Sequence, residues 1–185
     1  NINFIGKKLN IKVNNLYKNL DKTFQTLRNE INKIKGPKLY FTHSLEGGHE
    51  DHDACYYITK KLLHKKKHDT GFQFPLYHGN NMPWIFFKVF ALIKENGVGY
   101  KKKISIANKL KFVSLLFNYK SQPRVWFFLY PFIIINYLFN SGNFIQKLEK
   151  NLKIRKPHDG KLFYERRNSC SYDKFHVKIK TFFSK

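Results

Sequence analysis

Cysteine and acidic residues are both scarce in this sequence of 185 residues. The two cysteines, Cys55 and Cys170, are too few for a disulfide framework, which excludes the small disulfide-stabilised secreted class. A reducing compartment is therefore expected, and we take the protein to be cytoplasmic. Aspartate and glutamate number 12 against 35 lysines and arginines, so the formal net charge is +23. Such a charge normally suggests nucleic acid or an anionic surface as a partner.

Arginine is scarce as well. It contributes five of the 35 basic residues, although its planar guanidinium is the usual reader of phosphates and bases. The excess of lysine, asparagine, isoleucine, phenylalanine and tyrosine is typical of A/T-rich codons, which accounts for much of the charge without a partner. We therefore expect no specific nucleic-acid binding, while weak non-specific binding at low salt follows from the charge.

A hydrophobic run long enough to span a bilayer is also lacking. The longest, Val125 to Phe139, has about 15 residues against the roughly 20 that a spanning helix needs, and it contains Pro131 and Asn136. A buried helix or one that lies on a surface fits this segment; we expect burial, with membrane contact as the less favoured alternative. Because 42% of the residues are hydrophobic, the chain can bury a core, and we expect one domain over residues 1–185.

Hydrophobic spacing predicts alternating helices and strands. Apolar residues three and four apart predict a helix from Leu16 to Ile34, and period-two alternation predicts a strand from Gly71 to Tyr77. The other expected elements are strands at Ile2–Ile5, Lys38–Thr42 and Trp84–Ile93, helices at Asp51–Lys65, Ile104–Phe117 and Pro123–Phe139, and a loop at Lys101–Lys103. This order predicts an α/β fold with a parallel sheet.

One window departs from the basic composition. Four of the twelve acidic residues fall between Glu46 and Asp53, and no lysine or arginine lies between Lys38 and Lys60. His49 and His52 are three residues apart at a strand-to-helix junction, so a first helical turn would place both on one face, within reach of one metal ion. An isolated H-x-x-H is common at an ordinary capped helix start, and the remaining histidines lack metal-ligand spacing.

The run from Thr42 to Ala54 resembles the second signature of the PIG-L/LmbE-like deacetylases, T-H-x-x-E-G-G-H-P-D-H-D-A, with Glu50 in place of the proline. Weaker similarities follow in the family's order at Phe74–His78, Tyr119–Gln122 and Leu162–Arg166. The resemblance implies a Rossmann-like three-layer fold with a mainly parallel sheet and a helical C-terminal part.

The resemblance also implies an activity. The expected protein is a metal-dependent hydrolase that removes the acetyl group from an N-acetylglucosamine-type sugar or glycolipid, with Zn²⁺ or another divalent metal as cofactor. In that pattern His52 is a metal ligand and His49 lies beside the acetyl carbonyl. The implied site is His49 and Asp51 as catalytic residues, His52 as metal ligand, and His43, Glu46, Gly47 and Gly48 as substrate-binding residues.

One departure from the family is large, because the sequence contains no H-P-D-D motif, which in the family supplies the other ligands and the general base. We therefore expect a fragment that lacks the N-terminal β-α portion and is inactive alone. The alternative is a non-enzymatic basic module that binds nucleic acid or anionic membrane through Lys65–Lys67, Lys101–Lys103 and the C-terminal tail. A folded but catalytically dead family member is a third interpretation.

Overall fold

The computed structural model describes residues 9–84, 86–115, 118, 123–139 and 142–185. The predicted strand at Ile2–Ile5 and the segment Tyr119–Gln122 lie outside this part. The described elements, in chain order, are 3₁₀ turn Leu16–Lys18, α1 Leu20–Asn32, β1 Leu39–His43, α2 Glu50–Leu63, β2 Thr70–Phe74, β3 Tyr77–His78, β4 Lys88–Val89, 3₁₀ turn Lys94–Asn96, β5 Gly99–Lys103, α3 Ile106–Leu115, α4 Pro123–Phe139, β6 Gly142–Lys147, α5 Phe163–Arg166 and α6 Tyr172–Ser184. The α/β class is therefore confirmed.

The main sheet has four strands in the order β1-β2-β6-β5, and β3 and β4 form a separate pair. Strands β1 and β2 are parallel, from Leu39 opposite Thr70 to His43 opposite Phe74. Strand β6 is antiparallel to both of its neighbours. The expectation of a mainly parallel sheet is thus wrong for the described strands, where the sheet is mixed. Hydrophobic alternation predicts which face a residue occupies, and it carries no information on strand direction.

Two local expectations also need correction. Lys101–Lys103 lies within β5 and not in a loop; all three lysines are exposed on an edge strand, where lysine discourages pairing with other chains. The predicted strand Trp84–Ile93 is reduced to Lys88–Val89. Trp84 and Phe90 have φ angles of 44° and 53°, and this left-handed backbone interrupts an extended strand on both sides.

The core lies where the helices pack together beside β1 and β2. Helix α2 contacts both strands, and α1 and α6 contact α2. The largest buried side chains of this cluster include Phe24, Tyr57, Ile58, Leu63, Tyr164, Phe175, Ile179 and Phe182. Helix α6 was not predicted. Its buried residues, Phe175, Ile179 and Phe182, have helical spacing, but they lie in a lysine-rich segment that reads as polar overall. Packing on this side fixes the start of α2 against the end of β1.

Helix α4 is the long apolar helix, but the expectation that it is buried is largely wrong. Ile133 is buried, the ring of Phe132 lies 4.4 Å from that of Phe87, and Asn136 donates a hydrogen bond to the carbonyl oxygen of Val89 at 2.7 Å. Several large apolar side chains of α4, Phe127 among them, are exposed. Across the part of the chain that the structure describes, no helix has the length and apolar character to cross a membrane.

Candidate functional site

The candidate site lies where the two parallel strands end. His43 closes β1 and faces Phe74, the last residue of β2, with ring centroids 5.2 Å apart. The backbone N–H of Ser44 donates to the Phe74 carbonyl at 2.9 Å, which extends the pairing by one residue before the chain leaves the sheet. In open α/β sheets, ligands bind outside the carboxyl ends of the strands, so the loop from Ser44 to His49 occupies the expected position.

Two buried carboxyl groups hold this loop in shape. An oxygen of Asp53 accepts hydrogen bonds from the backbone N–H groups of Glu46 at 3.1 Å and Gly47 at 3.2 Å. Glu46 in turn accepts from the N–H groups of Leu76 at 2.8 Å and Tyr77 at 3.1 Å. Burial raises the pKa of Asp53 to about 7 and that of Glu46 well above its usual value. Both carboxyl groups therefore stabilise the conformation of this loop by accepting hydrogen bonds from backbone N–H groups.

The glycine pair brings the loop into close contact with its neighbours. Gly47 has a φ of 68°, and its carbonyl accepts from the N–H of Phe163 at 2.8 Å. A Cβ atom on Gly48 would lie 2.0 Å from the carbonyl oxygen of Tyr77, closer than atoms can approach. Both predicted substrate-binding glycines therefore have a structural reason to lack a side chain, and any contact with substrate would be made through their backbone.

Three imidazoles form a cluster at this edge of the sheet. The rings of His43 and His52 are stacked, with centroids 4.3 Å apart and an interplanar angle of 8°. The ring of His49 lies 5.0 Å from that of His52 at 30°. His49 is the N-cap of α2 and His52 falls in its first turn, so the prediction that these two side chains share one face is confirmed. We call these three residues the histidine cluster.

The histidine cluster is neutral at neutral pH. Burial, with smaller contributions from His43, His49 and Arg167, lowers the pKa of His52 to about 2. Burial, with a smaller contribution from His49, lowers the pKa of His43 to about 4. The pKa of His49 is also lowered, mainly by burial, although Glu50 and Asp51 oppose the shift. A neutral imidazole keeps the nitrogen lone pair that metal binding or proton acceptance needs.

The two ring nitrogens of His49 have different roles. Nδ1 accepts a hydrogen bond from the backbone N–H of Asp51 at 3.1 Å, so in the neutral ring the proton sits on Nε2. The carboxylate of Glu50 is 3.6 Å from Nδ1, too far for a hydrogen bond. The Nδ1 atoms of His43 and His52 are buried and have no hydrogen-bond partner among the described residues. His49 therefore offers a donor, while His43 and His52 have unused hydrogen-bonding capacity.

Asp51 has a structural contact. Its carboxylate accepts from the backbone N–H groups of Asn14 at 2.7 Å and Leu16 at 2.9 Å, which ties the first 3₁₀ turn to the start of α2. Burial raises the pKa of this carboxyl, while the two backbone donors and His49 oppose the rise. Both oxygens are thus engaged outside the histidine cluster. A catalytic role for Asp51 stays a prediction.

Three further residues border the histidine cluster. The ring of Tyr77 lies edge-on to that of His52, with centroids 5.8 Å apart, and the centroids of the Phe163 and Tyr77 rings are 6.0 Å apart. Arg167 donates to the carbonyl of Gly48 at 3.4 Å, and its guanidinium lies over the Phe163 ring. The sequence reasoning did not single out Arg167, although its type is rare in this lysine-rich chain. It places a positive charge beside neutral imidazoles, which suits a ligand with anionic character.

The described residues do not complete a metal site. Within this part of the chain, no group of three or more His, Cys, Asp and Glu side chains is placed to hold a metal ion. Zinc needs three or four protein ligands, and His52, with its orphaned buried nitrogen, fits one of them. Glu46 and Asp53 are already bound to backbone N–H groups. Zn²⁺ or another divalent metal as cofactor therefore stays a prediction, and His52 is the one expected ligand that the described residues place at this edge of the sheet.

Comparison of the chain with protein-family models, with curated proteins and with solved structures gave no match. The resemblance described above thus depends on the residues from Thr42 to Ala54 and on the weaker similarities that follow them in the sequence.

Proposed function

We propose that this chain carries part of the active site of a metal-dependent de-N-acetylase that acts on an N-acetylglucosamine-type sugar. The observation that carries the proposal is the histidine cluster, three neutral imidazoles in contact at the carboxyl end of β1. An isolated H-x-x-H at a capped helix start does not require its rings to stack on a third histidine. The hydrogen bond from the Asp51 N–H to His49 Nδ1 is an ordinary N-cap contact, which orients the ring without itself indicating a function.

A second line of support comes from segments far apart in the sequence. Two of the weaker similarities to the deacetylase pattern, Phe74–His78 and Leu162–Arg166, both contact the loop between β1 and α2. Tyr77 lies against His52, and the backbone N–H of Phe163 binds the carbonyl of Gly47. Phe74–His78 follows β2, which is parallel to β1, so the sheet itself brings this segment to the loop. Leu162–Arg166 comes from a distant part of the chain, and its contact with the loop is the one that favours a common site.

Roles for individual residues follow from their geometry. His52 would provide one metal ligand, and the Nε2–H of His49 would donate a hydrogen bond to the acetyl oxygen or a proton to the leaving amine. The bound metal would supply Lewis-acid activation of the carbonyl and of a water molecule. Because the described residues supply one ligand, the proposal requires the other ligands and the general base from outside them.

The sheet leaves room for such a contribution. Strand β1 is at the edge of the described sheet, and its side chains Leu39 and Phe41 are 58% and 59% exposed. Large apolar side chains on a sheet face are ordinarily covered by a packed layer. A further strand and helix at this edge would cover them and produce a three-layer Rossmann-like arrangement. Such a strand would end beside His43, where the early motif of the resembled family belongs.

Zinc binding by the histidine cluster is the first test. Imidazole nitrogen resonances of the ¹⁵N-labelled chain are followed by NMR during titration with Zn²⁺ near neutral pH. We expect His52 to shift first and His52→Ala to weaken binding by about tenfold or more, as loss of a ligand does. The matched control is His68→Ala, an exposed histidine outside the cluster, which should leave the titration unchanged. Zinc that moves only other histidines would overturn the ligand assignment.

The second test concerns the reaction. Acetate release from N-acetylglucosamine derivatives is measured with the full-length protein loaded with Zn²⁺. We expect His49→Ala to lower kcat by about 100-fold or more and KM little, because His49 acts on the reacting amide. Zinc binding should survive in this variant, which separates catalysis from metal loss. Absence of acetate with lipid-linked, nucleotide-linked and free N-acetylated sugars would refute the proposal.

A further inference from the structure

Helices α3 and α4 expose an unusual amount of apolar surface. In α4, Phe127, Phe128 and Phe139 are 77%, 70% and 81% exposed, and α3 adds other large side chains. We call the following set the apolar surface: Ile106, Leu110, Leu115, Phe127, Phe128 and Phe139. Single exposed apolar residues are normal, but contiguous exposed patches mark an interaction site.

The opposite side of α4 is firmly attached to the rest of the protein. Ile133 is buried, Phe132 packs against Phe87, and Asn136 donates to the carbonyl of Val89. Helices α3 and α4 also contact each other, with the Tyr130 hydroxyl donating to the carbonyl of Val113 at 3.3 Å. The exposed side chains of α4 therefore lie on its outward side, opposite residues that already have partners. No described residue of α3 is buried, and α3 adds further exposed apolar side chains beside α4.

Positive charge borders the apolar surface. Strand β5 ends at Lys103, and two residues separate it from the start of α3 at Ile106. Lys101, Lys102 and Lys103 are all exposed at the edge of the sheet. Lys111 is exposed within α3 itself. No acidic residue occurs between Lys101 and Phe139. Exposed aromatic and aliphatic side chains beside lysines, with no carboxylates among them, suit the boundary between water and an anionic membrane, where aromatic rings are enriched and lysines are attracted.

We propose that α3 and α4 dock on an anionic phospholipid bilayer, with the apolar surface in the headgroup region and Lys101–Lys103 against the lipid phosphates. The helices lie in the plane of the interface. Aromatic side chains fit this position because the boundary between headgroups and acyl chains accepts their rings, while lysines are attracted by the negative surface potential. This inference is independent of the proposed deacetylase function, because it uses none of the residues of the histidine cluster.

Vesicle flotation of the whole chain tests the proposal. Vesicles of phosphatidylcholine mixed with phosphatidylserine are compared with phosphatidylcholine alone, at low and high salt. We expect the double variant Phe127→Ser and Phe128→Ser to lower partitioning by about 100-fold. The matched control is Val177→Ser on α6, which is also exposed but lies outside the apolar surface; it should partition like the parent. Equal losses in patch and control variants would overturn the proposal.

Lys101–Lys103, the charged border of the apolar surface, are tested separately with their own control. The triple variant Lys101→Gln, Lys102→Gln and Lys103→Gln should lower binding to the mixed vesicles by roughly 100-fold at low salt and much less at high salt. The same change at Lys65, Lys66 and Lys67, three exposed lysines outside the border, should have a smaller effect. If both triple variants lose the same affinity, the attraction is a property of net charge and the assigned surface is wrong.

A readout on the parent protein avoids any doubt about folding of the variants. Hydrogen exchange of backbone amides, measured with and without mixed vesicles, should slow selectively in α3 and α4. Protection elsewhere, or none, contradicts the proposal.

The same variants and vesicles distinguish two other occupants of the surface. Self-association that Phe127→Ser and Phe128→Ser abolish, without vesicle binding, would assign the surface to a second copy. Tight RNA binding lost with Lys101–Lys103, without vesicle binding, would assign the border to nucleic acid.

Discussion

The unit β1–α2–β2 and the helix pair α3–α4 place their side chains in opposite ways. In the first, acidic and imidazole side chains are buried, including Glu46, Asp53 and much of His52. In the second, large apolar side chains such as Phe127 and Phe139 face outward. Globular proteins ordinarily bury apolar groups and expose charged ones, so a buried polar cluster or an exposed apolar patch is the informative case. This protein contains one of each.

The comparison separates two kinds of functional surface. The polar groups of β1–α2–β2 hold one another through hydrogen bonds to the backbone, so this unit can orient an imidazole such as His49 rigidly. On the outer side of the α3–α4 pair, the large apolar side chains that the structure describes have no polar groups to orient a ligand, so this surface provides contact area only. We therefore expect mutations in the first unit to affect stability and pH dependence, and mutations of the apolar surface to affect association while leaving stability unchanged.

The largest expected effect is at Gly48. In Gly48→Ala the new Cβ atom would stand 2.0 Å from the backbone carbonyl oxygen of Tyr77, and a backbone atom cannot swing aside. We expect the free energy of unfolding to fall by about 3 kcal/mol or more in urea titration. The control is Gly36→Ala, where no atom lies within 4 Å of the new Cβ and the only penalty comes from a φ of 79°, a left-handed conformation that Gly48 does not have. Its loss should be about 1 kcal/mol. Equal losses would mean that the Gly48–Tyr77 contact is not tight.

Asp53 should produce the next largest effect. Asp53→Ala leaves the N–H groups of Glu46 and Gly47 buried without an acceptor, at a cost of about 2–3 kcal/mol in the free energy of unfolding. Asp53→Asn retains an acceptor oxygen and is the control. Its smaller loss should be measured by urea titration at the same pH. An asparagine variant as unstable as the alanine variant would contradict the assigned hydrogen bonds.

The same carboxyl predicts a pH dependence. Its pKa is raised from 3.8 to about 7 in the folded protein, so the folded state holds the proton that the unfolded chain has released. The stabilisation is complete below about pH 4 and is lost as pH rises through about 7. We expect the difference in unfolding free energy between the parent and Asp53→Asn to shrink or reverse across that range. A difference that is independent of pH would show that the folded carboxyl titrates normally.

The sequence predicted the local parts of this arrangement. Strand β1, helix α2 and the proximity of His49 and His52 follow from residues within one motif, where spacing determines geometry. The stacking of His43 on His52 depends on the end of β1 meeting the first turn of α2, so it was not predicted; His43 was expected only as a substrate-binding residue implied by the resemblance. Contacts between distant segments had no signal, as with Asp51 and the backbone of Asn14, 37 residues away.

The same limit explains the errors in the fold. Strand β6 lies antiparallel to β2. Two helices separate these strands in the sequence, and nothing in the residues of either strand specifies the direction in which they pair. The exposure of α4 was missed for a related reason. An apolar segment indicates burial only if the rest of the chain provides a surface to cover it, and here the described residues cover the side that contains Ile133 and Asn136.

The histidine cluster should make the protein sensitive to mild acid. The folded-state pKa values of His43 and His52, about 4 and about 2, lie below the ordinary 6.5, so the unfolded chain takes up protons first as pH falls below about 6.5. Stability is complete above that value and declines toward the folded-state values. We expect His43→Gln to recover about 2 kcal/mol of the loss between about pH 7 and pH 5 in urea titrations. His68→Gln, outside the cluster, is the matched control, and an equal recovery there would contradict the assignment.

The smallest expected effect tests the other side of the comparison. Phe127 is 77% exposed, so Phe127→Ser should change the free energy of unfolding by no more than about 0.5 kcal/mol, as surface substitutions do. A buried phenylalanine such as Phe175, 1% exposed, should instead lose about 3–5 kcal/mol when truncated to alanine. Urea titration of both variants without lipid gives the contrast. If Phe127→Ser proved as costly as Phe175→Ala, then Phe127 would be part of a folded core, and its reduced partitioning into vesicles would reflect unfolding and not the loss of a membrane contact.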